Sequence, residues 1–317
     1  MSLVLKGHDP HCSPLLTPMN CAPIALFAYN RPIHLKQTVE SLRAARHAQE
    51  SRLWIFCDGS KRPEDSDAVA QVRSYARSIR GFASVTVIER ERNLGLAASV
   101  TEGVRRLCDE FGRAIVVEDD LVVAPGFLEF LNQALDRYEK EVKVMQVSGY
   151  MYPGEFGAPD ESLFLPMISC WGWGTWKRAW DQYDPTMAGY EVLRCDSGLR
   201  REFDLDGAYS YFDMLKRQVT GQIDSWGICW HLSVFMLHGL VLYPTRSLVR
   251  NIGVDGSGTH GGGTSELQRD LSTEEPSAPV RFPVKVEIDQ GALSRVAANL
   301  RSMQSGPLTR LLRRFVA

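Results

Sequence analysis

The stretch RAIVVEDDLVVAPGFLEF, residues 113–130, sets three carboxylates, Glu118, Asp119 and Asp120, directly after one apolar run and directly before another. Adjacent like charges repel, and a carboxylate at the mouth of a core is costly unless it is paired or bound to a cation. On a strand, Glu118 and Asp120 point to one side and Asp119 to the other, so one group can take a metal while its neighbours orient a polar ligand. Mg²⁺ or Mn²⁺ suits such a site, because hard cations take few carboxylates and complete their shell with phosphate oxygens and water. A solvated turn is the alternative reading of any charge run. The apolar strand leading into this one argues against it.

The elements that must hold these residues alternate. IALFA, RLWIFC, FASVTVIERE and AIVVEDD read as strands, and IHLKQTVESLRAA, DAVAQVRSYARSI and LGLAASVTEGVRRLCDEF read as the helices between them, the first with helical spacing at Leu35, Val39 and Leu42. That order predicts an α/β fold with a mainly parallel, doubly wound, Rossmann-like sheet, in which ligands sit outside the carboxyl ends of the strands. Those ends are Asn30-Arg31, Asp58-Gly59-Ser60 and the three carboxylates, so the first half builds a polar rim. No G-x-G-x-x-G or G-x-x-x-x-G-K-[ST] follows any strand, which removes the dinucleotide and P-loop fingerprints. From about residue 145 the pattern is less regular: VMQVSGYMY, LFLPMI and LVLYPTRSLV read as strands, and residues 212–239 as a helix in two pieces.

Composition bounds the function. The 317 residues carry 36 Lys plus Arg against 38 Asp plus Glu, so nothing asks for a nucleic-acid partner. The seven cysteines are widely spaced with no C-x-x-C, a pattern that fits free thiols in a reducing, cytoplasmic setting. No run approaches the length of a membrane span, and residues 1–21 read as a flexible leader without a signal peptide's apolar centre. The end of the chain, PLTRLLRRFVA, reads as a basic amphipathic surface helix, with peripheral contact at the inner face of the membrane as the alternative.

VVEDDLVVAPGFLEF resembles the metal-binding segment of GT-A-fold nucleotide-sugar glycosyltransferases, most closely the N-acetylglucosaminyltransferase I family. ALFAYNRP resembles the first strand of that family and of the bacterial family 2-like transferases, FCDGS the second-strand segment that meets the base of the nucleotide, and QIDSW the D-x-W segment that carries the catalytic base. LVRNIGVDGSGTHGG resembles the loop that closes over the donor. The similarity runs over roughly residues 22–263 in the right order, and its E-D-D segment is the most specific part. It implies that Asp120 ligates Mn²⁺ or Mg²⁺, that Asp119 and Glu118 hold the ribose and the donor sugar, that Arg31 and Asp58 frame the base, and that Asp224 deprotonates the acceptor. The eukaryotic family's membrane anchor and secretory context are missing from this sequence, so donor and acceptor identities do not carry over.

The resulting expectation is a metal-dependent, inverting transfer of a sugar from a nucleotide diphosphate-sugar to a hydroxyl of a glycan or glycolipid. It would occupy a GT-A-like domain over 22–265, with a nucleotide-binding half at 22–145 and a smaller, mixed acceptor half at 146–265, followed by an extension at 266–317. Asp181, Asp184 and Asp213 share the acceptor half with Asp224, and Asp224 itself reads alternatively as a helix cap. His260, in a loop with five glycines between 256 and 263, could complete the metal shell or meet the diphosphate, or be an ordinary loop histidine. Arg250 is either a phosphate partner or a strand-end surface residue, and Asn93 either approaches the donor or shapes a strand-to-helix turn. Four tryptophans fall between Trp171 and Trp180; their spacing suits a helical core, while Trp173, with Trp226, could instead offer acceptor-side stacking. A sugar nucleotidyltransferase lacks support, since AYNRP has no glycine for a phosphate loop, and a non-catalytic glycan or nucleotide-sugar binder remains the third class.

Overall fold

Each apolar run closed by a polar cluster forms a strand, and the computed structural model describes residues 20–253, 271 and 280–305. Ile24–Ala28 (β1), Arg52–Cys57 (β2), Ser84–Glu89 (β3) and Arg113–Glu118 (β4) alternate with Pro32–Ala44 (α1), Ser66–Ser78 (α2) and Leu96–Phe111 (α3). Pro32 opens α1, where its fixed φ suits a first helical turn and its missing N–H is no loss. Leu35, Val39 and Leu42 all point into the core, as their spacing predicts. Gly112 closes α3 in the left-handed region, its N–H donating to the Cys108 carbonyl.

Then follow Leu121–Val123 (β5), Phe127–Arg137 (α4), Val144–Ser148 (β6), Ser162–Leu165 (β7), Trp173–Trp176 (β8) and Lys177–Trp180 (α5). Four helices, Tyr190–Cys195 (α6), Ser197–Phe203 (α7), Tyr211–Val219 (α8) and Trp226–Met236 (α9), lead to Leu240–Pro244 (β9), Val249–Asn251 (β10) and Gln290–Ser305 (α10). Eight strands make one sheet in the order β3-β2-β1-β4-β8-β6-β9-β7, and β5 pairs with β10 in a second, small antiparallel one. β1 to β4 are mutually parallel, so their carboxyl ends share an edge, and strand order reverses between β1 and β4. That reversal opens a crevice, the place where doubly wound sheets take ligands.

The tryptophan segment differs from its periodicity. Residues 173–176 are strand β8, not helix, although Trp173, Trp176 and Trp180 are core as their apolar bulk predicts. A three-then-four spacing fits one helix, but it also fits a short strand that runs straight into a helical turn. LVLYPTRSLV divides between two sheets, because β9 belongs to the large sheet and β10 to the small one. Residues 280–305 pack back on the domain: Phe282 stacks on Phe130, Tyr138 Oη donates to the Pro283 carbonyl, and Ala292, Val296, Ala297 and Leu300 of α10 are buried. Both the glycine-rich segment that contains His260 and the terminal basic segment lie outside the described residues. No helix among those described is long and apolar enough to cross a membrane.

His231 on α9 is buried against Phe203 and Tyr211, ring centres 4.7 and 4.3 Å away, and neither ring nitrogen makes a well-formed hydrogen bond among the described residues. Burial pushes its imidazole down to about 4, so the folded state holds it neutral where the unfolded chain would protonate it. The contribution is fully present above pH 6.5 and is lost as pH falls toward 4, roughly 2 kcal/mol of it by pH 5. Urea unfolding at pH 7 and pH 5 checks this: His231→Phe should narrow the stability difference between the two pH values, and an unchanged difference would contradict it.

Candidate active site

The site is built where β4 stops. The strand ends at Glu118, and Asp119 and Asp120 lie in the turn before β5, so the alternation expected of an extended chain stops one residue too early to separate them. Both instead meet one cation: Arg31 Nη2 is 2.6 Å from Asp119 Oδ1 and 3.0 Å from Asp120 Oδ2. Arg31 comes from the β1–α1 turn, across the crevice at the strand-order reversal. Asp119 is further fixed by the Tyr29 N–H, which donates to Oδ2 at 3.2 Å, and its carbonyl accepts from Thr38 Oγ1 at 2.8 Å.

Three carboxylates around one guanidinium remain in excess. Burial, then the charges of Asp120 and Asp119, push the Glu118 carboxyl up to about 8 against the pull of Arg31. Burial likewise raises Asp119 to about 6, with Arg31 opposing. Among the described residues, Asp120 Oδ1 is buried without a hydrogen-bond partner. An orphaned anionic oxygen is expensive unless something not drawn from the chain satisfies it. Beside it, Gly253 comes so close that a Cβ there would lie 2.2 Å from Asp120 Oδ2. The Ile252 N–H donates to the Asp120 carbonyl at 2.7 Å, which ties β10 and its Arg250, half-buried, to the carboxylate turn.

Asp58 stands on the same rim but serves the chain itself. Its oxygens accept from the backbone N–H groups of Gly59, Leu94 and Gly95 at 2.9–3.2 Å, so the carboxylate holds the loop that starts α3. Asn93 does related work, its Nδ2 donating to the Gly59 carbonyl at 2.9 Å. Asp65, which sequence reasoning missed, accepts from Tyr29 Oη, Asn30 Nδ2 and Arg62, pinning the ends of β1 and β2 together. Its one visible signal was the residue type, since Tyr29 and Asn30 reach it from the end of β1.

Asp224 is exposed in the loop before α9, and a Cβ on Gly95 would lie 3.9 Å from its Oδ2, which sets the carboxylate beside the N-terminus of α3. The cap of α9 is the next residue, Ser225, whose Oγ accepts from the Ile228 N–H. The other acidic candidates are occupied or remote from this corner. Asp181 pairs with Lys177 at 3.0 Å, Asp184 accepts from the Thr186 and Ala188 backbone, and Asp213 is exposed on α8. Trp173 and Trp226 do not offer acceptor-side faces: they stack on each other at 5.1 Å, 0% and 4% exposed, because α9 packs this end against β8. They hold the Asp224 loop from behind.

Removing the cation should show how much it offsets. In a chelating buffer Arg31→Ala should lower stability by about 3 kcal/mol, read by urea unfolding, because it leaves buried carboxylates without a partner. No loss would mean that the three groups are not charged against one another.

The profile described as Glycosyl transferase family 2 matches residues 24–192. An Arabidopsis thaliana alpha-1,3-mannosyl-glycoprotein 2-beta-N-acetylglucosaminyltransferase is 24% identical over 181 residues, 53% of this chain. The match covers 40% of that protein's length. Among solved structures, a Pyrobaculum calidifontis mannosyltransferase in complex with GDP-Man and Mn²⁺ is similar at a TM-score of 0.33 and 12% identity, over 51% of this chain and 48% of that one. Staphylococcus aureus TarS in complex with UDP-GlcNAc is similar at 0.34 and 12% identity, over 50% and 46%. With more than half of its residues under the family profile, and with the carboxylate turn inside that span, the chain belongs to Glycosyl transferase family 2.

Proposed function

We propose that the protein transfers a sugar from a nucleotide diphosphate-sugar to a hydroxyl of a glycan or glycolipid, with inversion and with Mn²⁺ or Mg²⁺ as cofactor. One observation carries this reading: Asp120 Oδ1, buried and without a hydrogen-bond partner among the described residues, lies at the strand-order reversal amid carboxylates that one arginine does not balance. Among the described residues no three His, Cys, Asp or Glu side chains form a ready cage for a metal. A single carboxylate oxygen, completed by phosphate oxygens and water, is the donor set a hard cation takes in a nucleotide site. Asp120 would hold that cation, and when bound it would neutralise charge on the departing diphosphate. His260 is a further candidate ligand that lies outside the described residues.

The chain's own residues divide the remaining work. Arg31 fixes Asp119 and Asp120 in place, Asp119 and Glu118 present oxygens to ribose and sugar hydroxyls, and Arg250 is the basic group nearest in sequence to the turn-bound β10 end. Asp58 and Asn93 shape the loop on the nucleotide side. Inversion is a single displacement, in which the acceptor oxygen bonds to the anomeric carbon as the diphosphate leaves and the acceptor's proton passes to a base. Asp224, exposed beside the start of α3 with no hydrogen bond to its carboxylate among the described residues, has the freedom to accept it.

The test is Asp224→Asn. Release of UDP or GDP from a panel of nucleotide sugars, with simple pyranosides as acceptors, should fall by roughly 10²–10⁴-fold. Calorimetric binding of the same donor with Mn²⁺ should persist. Full activity in the variant would remove Asp224 as the base, and metal-dependent donor binding without turnover in the wild type would favour a binding protein.

A further inference from the structure

Three stretches remote in sequence bring aromatic side chains to the edge of the sheet that carries the carboxylates. β8 runs antiparallel to both β4 and β6, so residues just before β8 and just after β6 lie at the edge where β4 ends. Those residues are Cys170 and Trp171 before β8, and Tyr150 and Tyr152 after β6. Tyr209 and Tyr211 join them from the start of α8. Tyr150, buried, makes edge contacts with Trp171 at 4.8 Å and Tyr152 at 5.2 Å, and so sets the spacing of the two. The hydroxyls of Tyr152 and Tyr211 are hydrogen-bonded, and the Tyr209 ring lies 4.5 Å from that of Tyr211. Trp171, Tyr152 and Tyr211 are half-buried, and Tyr209 is 37% exposed.

The wall is fastened to the site by backbone. The Gly149 N–H donates to the Gly172 carbonyl at 2.7 Å, the Leu248 N–H donates to the Gly149 carbonyl at 2.8 Å, and β10 runs from there to Ile252, bonded to Asp120. From the other side, Gly227 packs on Cys170, with 2.8 Å from a Cβ position to Sγ, only three residues from Asp224. The wall therefore adjoins the carboxylate turn on the opposite side of β4 from Arg31 and Asp58.

We infer that Trp171, Tyr152 and Tyr209 form the acceptor subsite and that they take a neutral pyranoside. This inference rests on the transfer reading above and names its acceptor class. None of the six wall side chains carries a charge, which suits a neutral acceptor. Half-exposed rings offer flat apolar faces to the C–H face of a pyranose, while tyrosine hydroxyls at their margins meet its ring hydroxyls. Tyr150 and Tyr211 hold those faces in place. The subsite therefore takes the role that the sequence suggested for Trp173 and Trp226, whose rings are buried against each other.

Saturation-transfer NMR on the full chain tests it, with the methyl glycosides of glucose, mannose, galactose and N-acetylglucosamine as probes and sorbitol and hexanol as controls. At least one glycoside should receive saturation at its ring C–H protons, and Trp171→Ala and Tyr209→Ala should each weaken it about tenfold. Val142→Ala, on a residue 73% exposed elsewhere, should change nothing. Tyr209 is exposed enough that its variant will fold even if the Trp171 variant does not. Undiminished binding in Tyr209→Ala, no glycoside binding at all, or equal binding of hexanol would overturn the inference. The Mn²⁺-dependent thermal shift with UDP- and GDP-sugars is read in parallel. Its absence, with glycosides still bound at the wall, would refute the transfer reading and leave the subsite standing.

Discussion

One arginine against three carboxylates organises this structure. Arg31 leaves β1 and meets Asp119 and Asp120 at the end of β4, and this contact spans the crevice where strand order reverses. The balance is deliberately incomplete in its chemistry: two carboxyls are raised by burial and mutual repulsion, and one oxygen of Asp120 has no partner. A chain selected only for stability would replace such a cluster with apolar residues. Retaining it is what a site must do if a cation arrives with its ligand and completes the neutralisation.

The sheet distributes the other functions around that point. On the β1–β2–β3 side, backbone N–H groups of the loop before α3 are gathered by Asp58, and Asp65 locks the neighbouring turns, so that side is rigid and polar. On the β8–β6 side, the strand direction reverses, and aromatic segments are brought to the same edge. Behind both, the Trp173–Trp226 stack sets the position of α9 and the loop that carries Asp224. A nucleotide end on one side of β4, a cation at its end and an apolar sugar face on the other side would thus share one edge, with the base beside the start of α3.

Much of the first half was legible because its strands are short apolar runs with abrupt polar ends, and because α1 and α3 repeat at helical spacing. The polar rim at the carboxyl ends of the strands followed from that alternation alone. What was illegible depended on contacts between distant segments. Asp58 is a loop clamp because Leu94 and Gly95 fold beneath it, and Asp119 and Asp120 share Arg31 because β4 stops at Glu118. The tryptophan spacing reads as helical, but it also fits a strand followed by a helical turn, which is what β8 and α5 make of it. Trp171, Tyr152 and Tyr209 belong to no motif, since the antiparallel pairing of β8 brings the first two together and Tyr211 at the start of α8 brings in the third.

The central claim is that Asp120 waits for a cation that comes with a nucleotide. Electron paramagnetic resonance of free Mn²⁺, followed while UDP or GDP is added to wild type and to Asp120→Asn, measures it directly. The account predicts that about one Mn²⁺ per chain disappears from the free signal when the right nucleotide is present, and that Asp120→Asn, with an unchanged circular dichroism spectrum, loses this coupling. Equal Mn²⁺ uptake by both proteins, or none by the wild type with either nucleotide, would contradict it.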